Sequence, residues 1–284
     1  MYACPKCNST ITIDHEVNSC SECGFEVKFE NNKIKYNFDK LLFDRFNERY
    51  LLNKVLNNNG ILSYQLLAEE SISLDDREDV VHFRGFIEKN IDKESKDKKK
   101  KLIDIGCGPL QLPGYLNFNS IDQYELYGIE PEEDSKFCGQ LITGCCEYMP
   151  IQNNVFDVAV FATSFDHLCS IEKSIQEVKR VLNKDGKVFL WISDKSSSKK
   201  TWLGRVIHKL KVLRKSFMLG YRIDRYVIYP NGTVLYVPVG AIDPFHSYFE
   251  SPKETIAFFE KEGFVLTDYQ YNNQNEVFIL LENS

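Results

Sequence analysis

The sequence predicts an α/β chain built on a doubly wound, mostly parallel sheet, with a small cysteine-rich unit ahead of it and one insertion near its end. Three observations carry that reading. From Lys101 onward short apolar runs alternate with stretches of helical period, an alternation that places helices on both faces of a parallel sheet. The first of those runs ends in "LIDIGCGP", so two glycines follow directly on a buried strand. Two C-x2-C pairs stand within the first 25 residues.

The 284 residues suffice for one α/β domain with additions, and 43% hydrophobic with 27% charged residues is the balance of a chain that buries a full core. A formal charge of −6 disfavours a nucleic-acid partner, whose phosphates ask for a basic surface. The start, "MYACPKCNST", lacks the basic and apolar regions of a signal peptide, and no later stretch approaches the roughly 18 apolar residues of a membrane span. A cytoplasmic location is expected, and with it nine cysteines held as thiols or metal ligands rather than disulfides.

In residues 1–36, Cys4 and Cys7 ("CPKC") are followed after twelve residues by Cys20 and Cys23 ("CSEC"). Four thiolates at this spacing surround one tetrahedral Zn²⁺, and "STITIDHEVNS" is expected to form a hairpin between the knuckles. With no open coordination position, such a zinc ribbon serves folding rather than catalysis. Cys107, Cys138, Cys145, Cys146 and Cys169 lack metal spacing and read mostly as small core fillers.

Residues 37–100 read as a helical cap and linker. Leu41, Leu42, Phe46, Tyr50 and Leu51 recur at helical spacing, as do apolar residues on to about Ile91, and "DKESKDKKKK" is too densely charged to be buried. Residues 101–284 form the main domain. Its strands are "KLIDIG", "YELYGIEP", "VFDVAVFATS" and "KVFLWISD". Between the last two, Ile171, Ile175, Val178, Val181 and Leu182 mark a helix that Gly186 is placed to stop.

In such a fold ligands bind beyond the carboxyl ends of the strands. Gly106 and Gly108 lie there, where a missing Cβ lets a ligand approach the backbone, and Glu130 closes the second strand 24 positions after Gly106, suited to ribose hydroxyls. A dinucleotide fingerprint wants a third glycine where Gln111 stands.

Taken in order, "LIDIGCGP", "YGIEP", "GCCEYMPIQNNVFDVAVFATSFDHL" and "EVKRVLNKDGKVFLWI" resemble the class I S-adenosylmethionine-dependent methyltransferases, type 11-like, and "DPFHSYFESPKETIAFFEKEGF" resembles their C-terminal helix. The resemblance implies a Rossmann-like, seven-stranded sheet with S-adenosylmethionine as cofactor. It implies that Asp104, Gly106 and Gly108 surround the methionine part and that Glu130 holds the ribose, with Cys107 and Pro131 beside them in the cofactor set. Cys146, Glu147 and Thr163 complete the cofactor set, although Cys145 stands where many relatives have an acid and Leu110 where many have a third glycine.

If the methyl acceptor is a hydroxyl, a base must take its proton. Asp166, His167 and Asp194 end the third and fourth strands, and Asp243, His246 and Tyr248 follow the insertion. Of these, His167, Asp166 and His246 are the candidate catalytic residues. A histidine at position 167 could equally cap the next helix or line the pocket.

Residues 195–245 exceed an ordinary connection and read as a lid. Within 201–218, Leu203, Val206, Leu210, Leu213 and Phe217 form a helical stripe flanked by Arg205, Lys209, Lys211, Arg214 and Lys215, and no acidic residue occurs between Lys195 and Arg222. Such a helix lies on an anionic membrane surface, grips a phosphorylated substrate, or packs its apolar face on the core.

The wording "DIGCGPLQLPGYL" with "FATSFDH" is also similar to methyltransferases of bacterial surface-polysaccharide and specialised-metabolite synthesis. O-methylation of a sugar or another small acceptor, lipid- or nucleotide-linked, is the first expectation. Ribosomal RNA base methylation is the second, since a zinc ribbon also precedes such cores in enzymes of that kind. A non-catalytic scaffold is the third.

Overall fold

The computed structural model describes residues 2–38, 41, 77–91, 99–131, 135–168, 170–194, 202–220, 222–228, 234–238, 251–272 and 275–284. Leu42 to Leu51, the linker 92–98, Cys169 and the segment bearing Asp243, His246 and Tyr248 lie outside the described residues.

Three strands come from the cysteine-rich unit: β1 (Val17–Ser19), β2 (Glu26–Glu30) and β3 (Lys33–Tyr36). The main sheet adds β4 (Lys100–Ile105), β5 (Tyr124–Glu130), β6 (Gln140–Thr143), β7 (Phe156–Ala162) and β8 (Leu182–Ser193). Beyond the insertion hairpin of β9 (Ile223–Ile228) and β10 (Val234–Pro238) come β11 (Phe264–Tyr271) and β12 (Glu276–Asn283). The described helices are α1 (Glu78–Asn90), α2 (Ile171–Val181), α3 (Trp202–Leu219) and α4 (Pro252–Lys261).

The principal sheet runs β1-β2-β3-β6-β5-β4-β7-β8-β12-β11. Its last seven strands are the sheet the resemblance implied, parallel from β6 to β8, with β12 antiparallel to both of its neighbours, β8 and β11. Unforeseen is its enlargement to ten strands. β3 pairs in parallel with β6, Lys33 opposite Leu141 and Ile34 opposite Ile142, so the ribbon covers what would be a bare edge.

The hairpin expected between the knuckles is replaced by another pairing. β1 pairs antiparallel with β2, which lies beyond the second knuckle, and Ala3 bridges Thr10. Asn18 draws residues 14 and 15 into a turn, its Oδ1 accepting the N–H groups of Asp14 and His15, so this segment folds back as a loop.

Strand periodicity puts alternate residues of β4 on opposite faces. Ile103 and Ile105 join a core that contains Ile129, Phe161 and Ile175 and continues into Ile34, Tyr36 and Cys20 of the ribbon. Leu102 joins the other core, where Phe83 of α1 packs on Tyr115, Trp191 and Phe278 with ring centroids 5.9, 5.4 and 5.0 Å away.

Two elements differ from expectation. Between β4 and β5 the described chain makes short 3-10 turns at Gly114–Leu116 and Ile121–Gln123 rather than an α-helix. Pro109 and Pro113 remove two backbone donors there and break any longer helix. α2 ends at Val181, not at Gly186: Leu182 is already extended and opens β8, and Asp185 supplies the left-handed turn with φ of 62°.

Candidate functional site

The carboxyl ends of β4, β5, β6 and β7 converge, and the loops that leave them carry the sequence-predicted residues. The glycine loop comes first. Gly106 and Gly108 both have positive φ, 75° and 68°, a conformation that costs an ordinary residue about 1–2 kcal/mol. Their reasons differ otherwise. A Cβ on Gly106 would sit 2.5 Å from Ser164 Cβ, so this glycine lets the loops after β4 and β7 touch. A Cβ on Gly108 would meet no described heavy atom within 4 Å, which leaves that backbone open to an approaching ligand. Among the described residues no α-helix follows this loop before β5. The segment after β5 holds it instead: Ser135 Oγ donates to Gly108 O at 2.6 Å and Cys138 N–H to Gln111 O at 2.7 Å.

Asp104, near the end of β4, is fully buried; its Oδ2 accepts from the Tyr115 hydroxyl at 2.7 Å. Oδ1 is buried with no hydrogen-bond partner among the described residues. Buried polar atoms are normally paired, so this orphan acceptor suits a donor from a ligand. Burial pushes the Asp104 carboxyl up to about 7; the Tyr115 hydroxyl pulls it down, and the neighbouring charge of Glu130 raises it further. Glu130, at the tip of β5, is buried, and its Oε2 accepts Gly108 N–H at 2.9 Å. Cys107 is buried with its Sγ 3.8 Å from Ser135 Oγ, and Pro131, half-buried, continues from Glu130.

Gly144 N–H donates to Glu130 O at 3.1 Å, which ties the turn after β6 to the end of β5. In that turn Glu147 is buried and accepts Ser170 N–H on Oε1 at 2.9 Å, and Cys146 Sγ lies 3.9 Å from Ser174 O. Both side chains therefore engage the start of α2, and the backbone of Cys146 is the part of that residue left for a ligand.

After β7, Thr163 has a φ of 59°, an uncommon strain for a β-branched residue, and its N–H donates to Trp191 O at 3.0 Å. The turn Phe165–His167 follows. Phe165 is buried against Phe161 and Phe259, with centroids 5.5 and 5.4 Å away, which leaves Asp166 and His167 half-exposed beside the site. His167 Nε2 lies 3.9 Å from Asp166 Oδ1. Ser170, rather than His167, caps α2: its Oγ accepts from Lys173 N–H. Asp194 is buried and accepts the Tyr271 hydroxyl at 2.9 Å. His246 lies outside the described residues.

The cysteine cluster is separate from these loops. The sulfurs of Cys4, Cys7, Cys20 and Cys23 lie within 4.8 Å of one another, with Cys4–Cys23 at 3.5 Å and Cys7–Cys20 at 3.6 Å. Tetrahedral zinc with bonds of about 2.3 Å spaces its sulfurs about 3.8 Å apart, so the donor set fits zinc. The knuckles share a backbone form: Asn8 N–H donates to Cys4 O and Gly24 N–H to Cys20 O, both at 2.8 Å, and Asn8 and Gly24 have φ of 61° and 68°.

On α3 three residues of the expected stripe, Leu210, Leu213 and Phe217, are exposed at 61, 67 and 90% of their surface, and Val206 is half-buried. Met218 shows 74%, and Lys209, Lys211 and Arg214 are exposed beside them. No described helix is long and apolar enough to cross a membrane.

Sequence reasoning missed Tyr115, Ser164 and Tyr36, each of which holds a site loop. A tyrosine eleven positions past Asp104 carries no local signal for their pairing.

Residues 103–190 match the family model described as a methyltransferase domain. No curated protein matches the chain. Among solved structures, a protein from Pyrococcus horikoshii OT3 is 17% identical, covers 83% of this chain and 98% of its own, and has a TM-score of 0.45. A SAM-dependent methyltransferase from Aquifex aeolicus is 14% identical over 85% of this chain and 100% of its own, with a TM-score of 0.45. Burkholderia thailandensis 1,6-didemethyltoxoflavin-N1-methyltransferase is 8% identical over 94% of this chain and 99% of its own, with a TM-score of 0.46.

Proposed function

We propose that this chain, whose residues 103–190 match the methyltransferase-domain family model, is an S-adenosylmethionine-dependent methyltransferase that methylates a hydroxyl of a sugar or another small acceptor, lipid- or nucleotide-linked. The observation that carries the oxygen acceptor is the Asp166–His167 pair, placed by the turn after β7 next to the strained Thr163. A half-exposed imidazole beside a carboxylate is suited to taking the proton a hydroxyl loses when it is alkylated.

When bound, S-adenosylmethionine supplies a methyl group already activated by a positively charged sulfur. The chain's share is to hold and align. Asp104 would take the methionine end through its orphaned Oδ1, with Gly106 and Cys107 shaping the loop and the open face of Gly108 admitting the ligand. Glu130, with Pro131 following, would take the ribose hydroxyls. The Cys146 backbone and Glu147 would line the adenine side, and Thr163 would complete the cofactor set. His246 stays a second candidate for the base. Zinc would sit on Cys4, Cys7, Cys20 and Cys23 as a folding element. The basic, apolar α3 would rest on an anionic membrane surface, which suits a lipid-linked acceptor.

The test is transfer of labelled methyl from S-adenosylmethionine to nucleotide-linked hexoses, lipid-linked sugars and ribosomal RNA, offered separately. Label in a sugar as a base-stable ether supports the reading. Label in RNA overturns it in favour of a base methyltransferase, and cofactor binding without transfer to any of the three points to a scaffold.

A further inference from the structure

We infer that the ribbon is a metal-dependent brace for the turn at residues 144–148, with Tyr36 as the positioning residue that carries the effect into the cofactor site. The inference rests on the reading of that turn as the adenine side of the site.

Tyr36 ends β3 and is almost completely buried. Its ring lies where a Cβ on Gly144 would be, so Gly144 is glycine because the ribbon's tyrosine occupies that space. The hydroxyl donates to Tyr148 O at 2.5 Å and accepts from Cys145 N–H at 3.2 Å, with Cys145 O also 3.2 Å away. One side chain thus ties both ends of the turn. A phenylalanine would fill the same core volume without burying a hydroxyl, and a buried hydroxyl is costly unless it is bonded. Its retention here goes with holding the backbone of 145–148.

The contacts continue in both directions. Towards the site, Gly144 N–H bonds Glu130 O, and Glu130 Oε2 takes Gly108 N–H, so two hydrogen bonds through Glu130 join the turn to the glycine loop. Towards the cysteines, Phe25 packs edge-on against Tyr36 with centroids 6.4 Å apart, and Phe25 O accepts Cys20 N–H at 2.9 Å. Phe25 stands two residues from Cys23, so the sulfur geometry that a metal fixes also fixes the residue against which Tyr36 packs. A further strap between the two parts, Ala3 N–H to Pro150 O at 3.2 Å, meets the far end of the same loop beside Cys4.

The test uses the full-length, zinc-loaded chain and Tyr36→Phe, read by hydrogen exchange at 144–149 and by calorimetric titration with S-adenosylhomocysteine. The expected result is faster exchange confined to that turn, and affinity lower by about tenfold, the lower part of the range for coupling between sites. Should the variant fold poorly, removal of zinc from the native chain by a chelator is the second arm, with the same loosening and the same loss expected. Unchanged exchange at 144–149 in both arms, or loosening with undiminished affinity, overturns the inference. If the native loaded chain binds no S-adenosylhomocysteine, the cofactor reading fails instead, and exchange still decides whether the brace exists.

Discussion

Glu130 and Gly108 meet across the tips of two adjacent parallel strands, the carboxylate Oε2 accepting the glycine N–H at 2.9 Å. The acid read from sequence as a ribose holder is therefore also a strut of the glycine loop. Glu130→Gln keeps an oxygen acceptor for Gly108 and loses the charge; about tenfold weaker binding of S-adenosylmethionine is expected, from hydrogen bonds to charged groups exceeding neutral ones. Glu130→Ala loses both functions and should weaken binding on the order of a hundredfold. Calorimetric titration of the three proteins checks the order; equal affinity in all three removes Glu130 from the site.

The two glycines of the loop should fail in different ways. Gly106→Ala places a Cβ against Ser164 at an unfavourable φ, so about 2 kcal/mol or more of stability should be lost. Gly108→Ala carries only the φ cost of about 1–2 kcal/mol, yet puts a methyl on the open face. Thermal melts should therefore rank Gly106→Ala as the less stable protein, and cofactor titration should rank Gly108→Ala as the weaker binder per folded molecule. The reverse ranking would place the ligand elsewhere.

Asp104 gives the site a pH dependence whose sign follows from its raised value. The folded carboxyl titrates at about 7 against 3.8 for an ordinary aspartate, so the folded chain holds the proton more tightly. Its contribution to stability is thus present at acid pH and is lost as pH rises from 3.8 towards 7. A cationic ligand beside this group favours the carboxylate and releases the proton, so affinity for S-adenosylmethionine should climb as pH rises to about 7, by at most about tenfold per unit. Asp104→Asn should flatten the profile, and S-adenosylhomocysteine, without the sulfonium charge, should show a shallower one. A variant profile as steep as the native one would assign the titration to another group.

Much of this arrangement was legible because its causes are local. Apolar runs ending in glycine or an acid located β4 and β5, and paired cysteines located the knuckles, since strand period and metal valence act over a few residues. Sequence reasoning missed β3, although its "KIKY" alternates, with Ile34 and Tyr36 inward and the lysines outward. Its partner β6 lies over a hundred residues away, and nothing near Tyr36 encodes that contact. Gly186 misled for a related reason: it sits inside the turn where its Cβ would meet Asn183 O, while Asp185 takes the left-handed position that a glycine usually marks. Gly106 likewise read as ligand-facing because Ser164, the side chain that requires it, arrives from another strand.

His167→Ala tests the base. If this imidazole takes the acceptor's proton, the variant should bind cofactor as before while turnover falls by about 10²–10⁴, the range general-base catalysis usually supplies. Unchanged turnover would pass the role to the segment holding His246.

The exposed face of α3 makes the last prediction. Four large apolar side chains in solvent, edged by Lys209, Lys211 and Arg214, form a surface that water disfavours and anionic lipid would cover. The native chain should sediment with vesicles containing phosphatidylglycerol and much less with phosphatidylcholine alone. Binding should weaken in high salt, which screens the basic residues, but not vanish while the apolar contacts persist. Leu213→Glu with Phe217→Glu should abolish it and leave cofactor affinity unchanged, because neither residue is among those assigned to the cofactor. Equal sedimentation of the native chain and this double variant would show that α3 is not the lipid contact, and would remove the argument for a membrane-held acceptor.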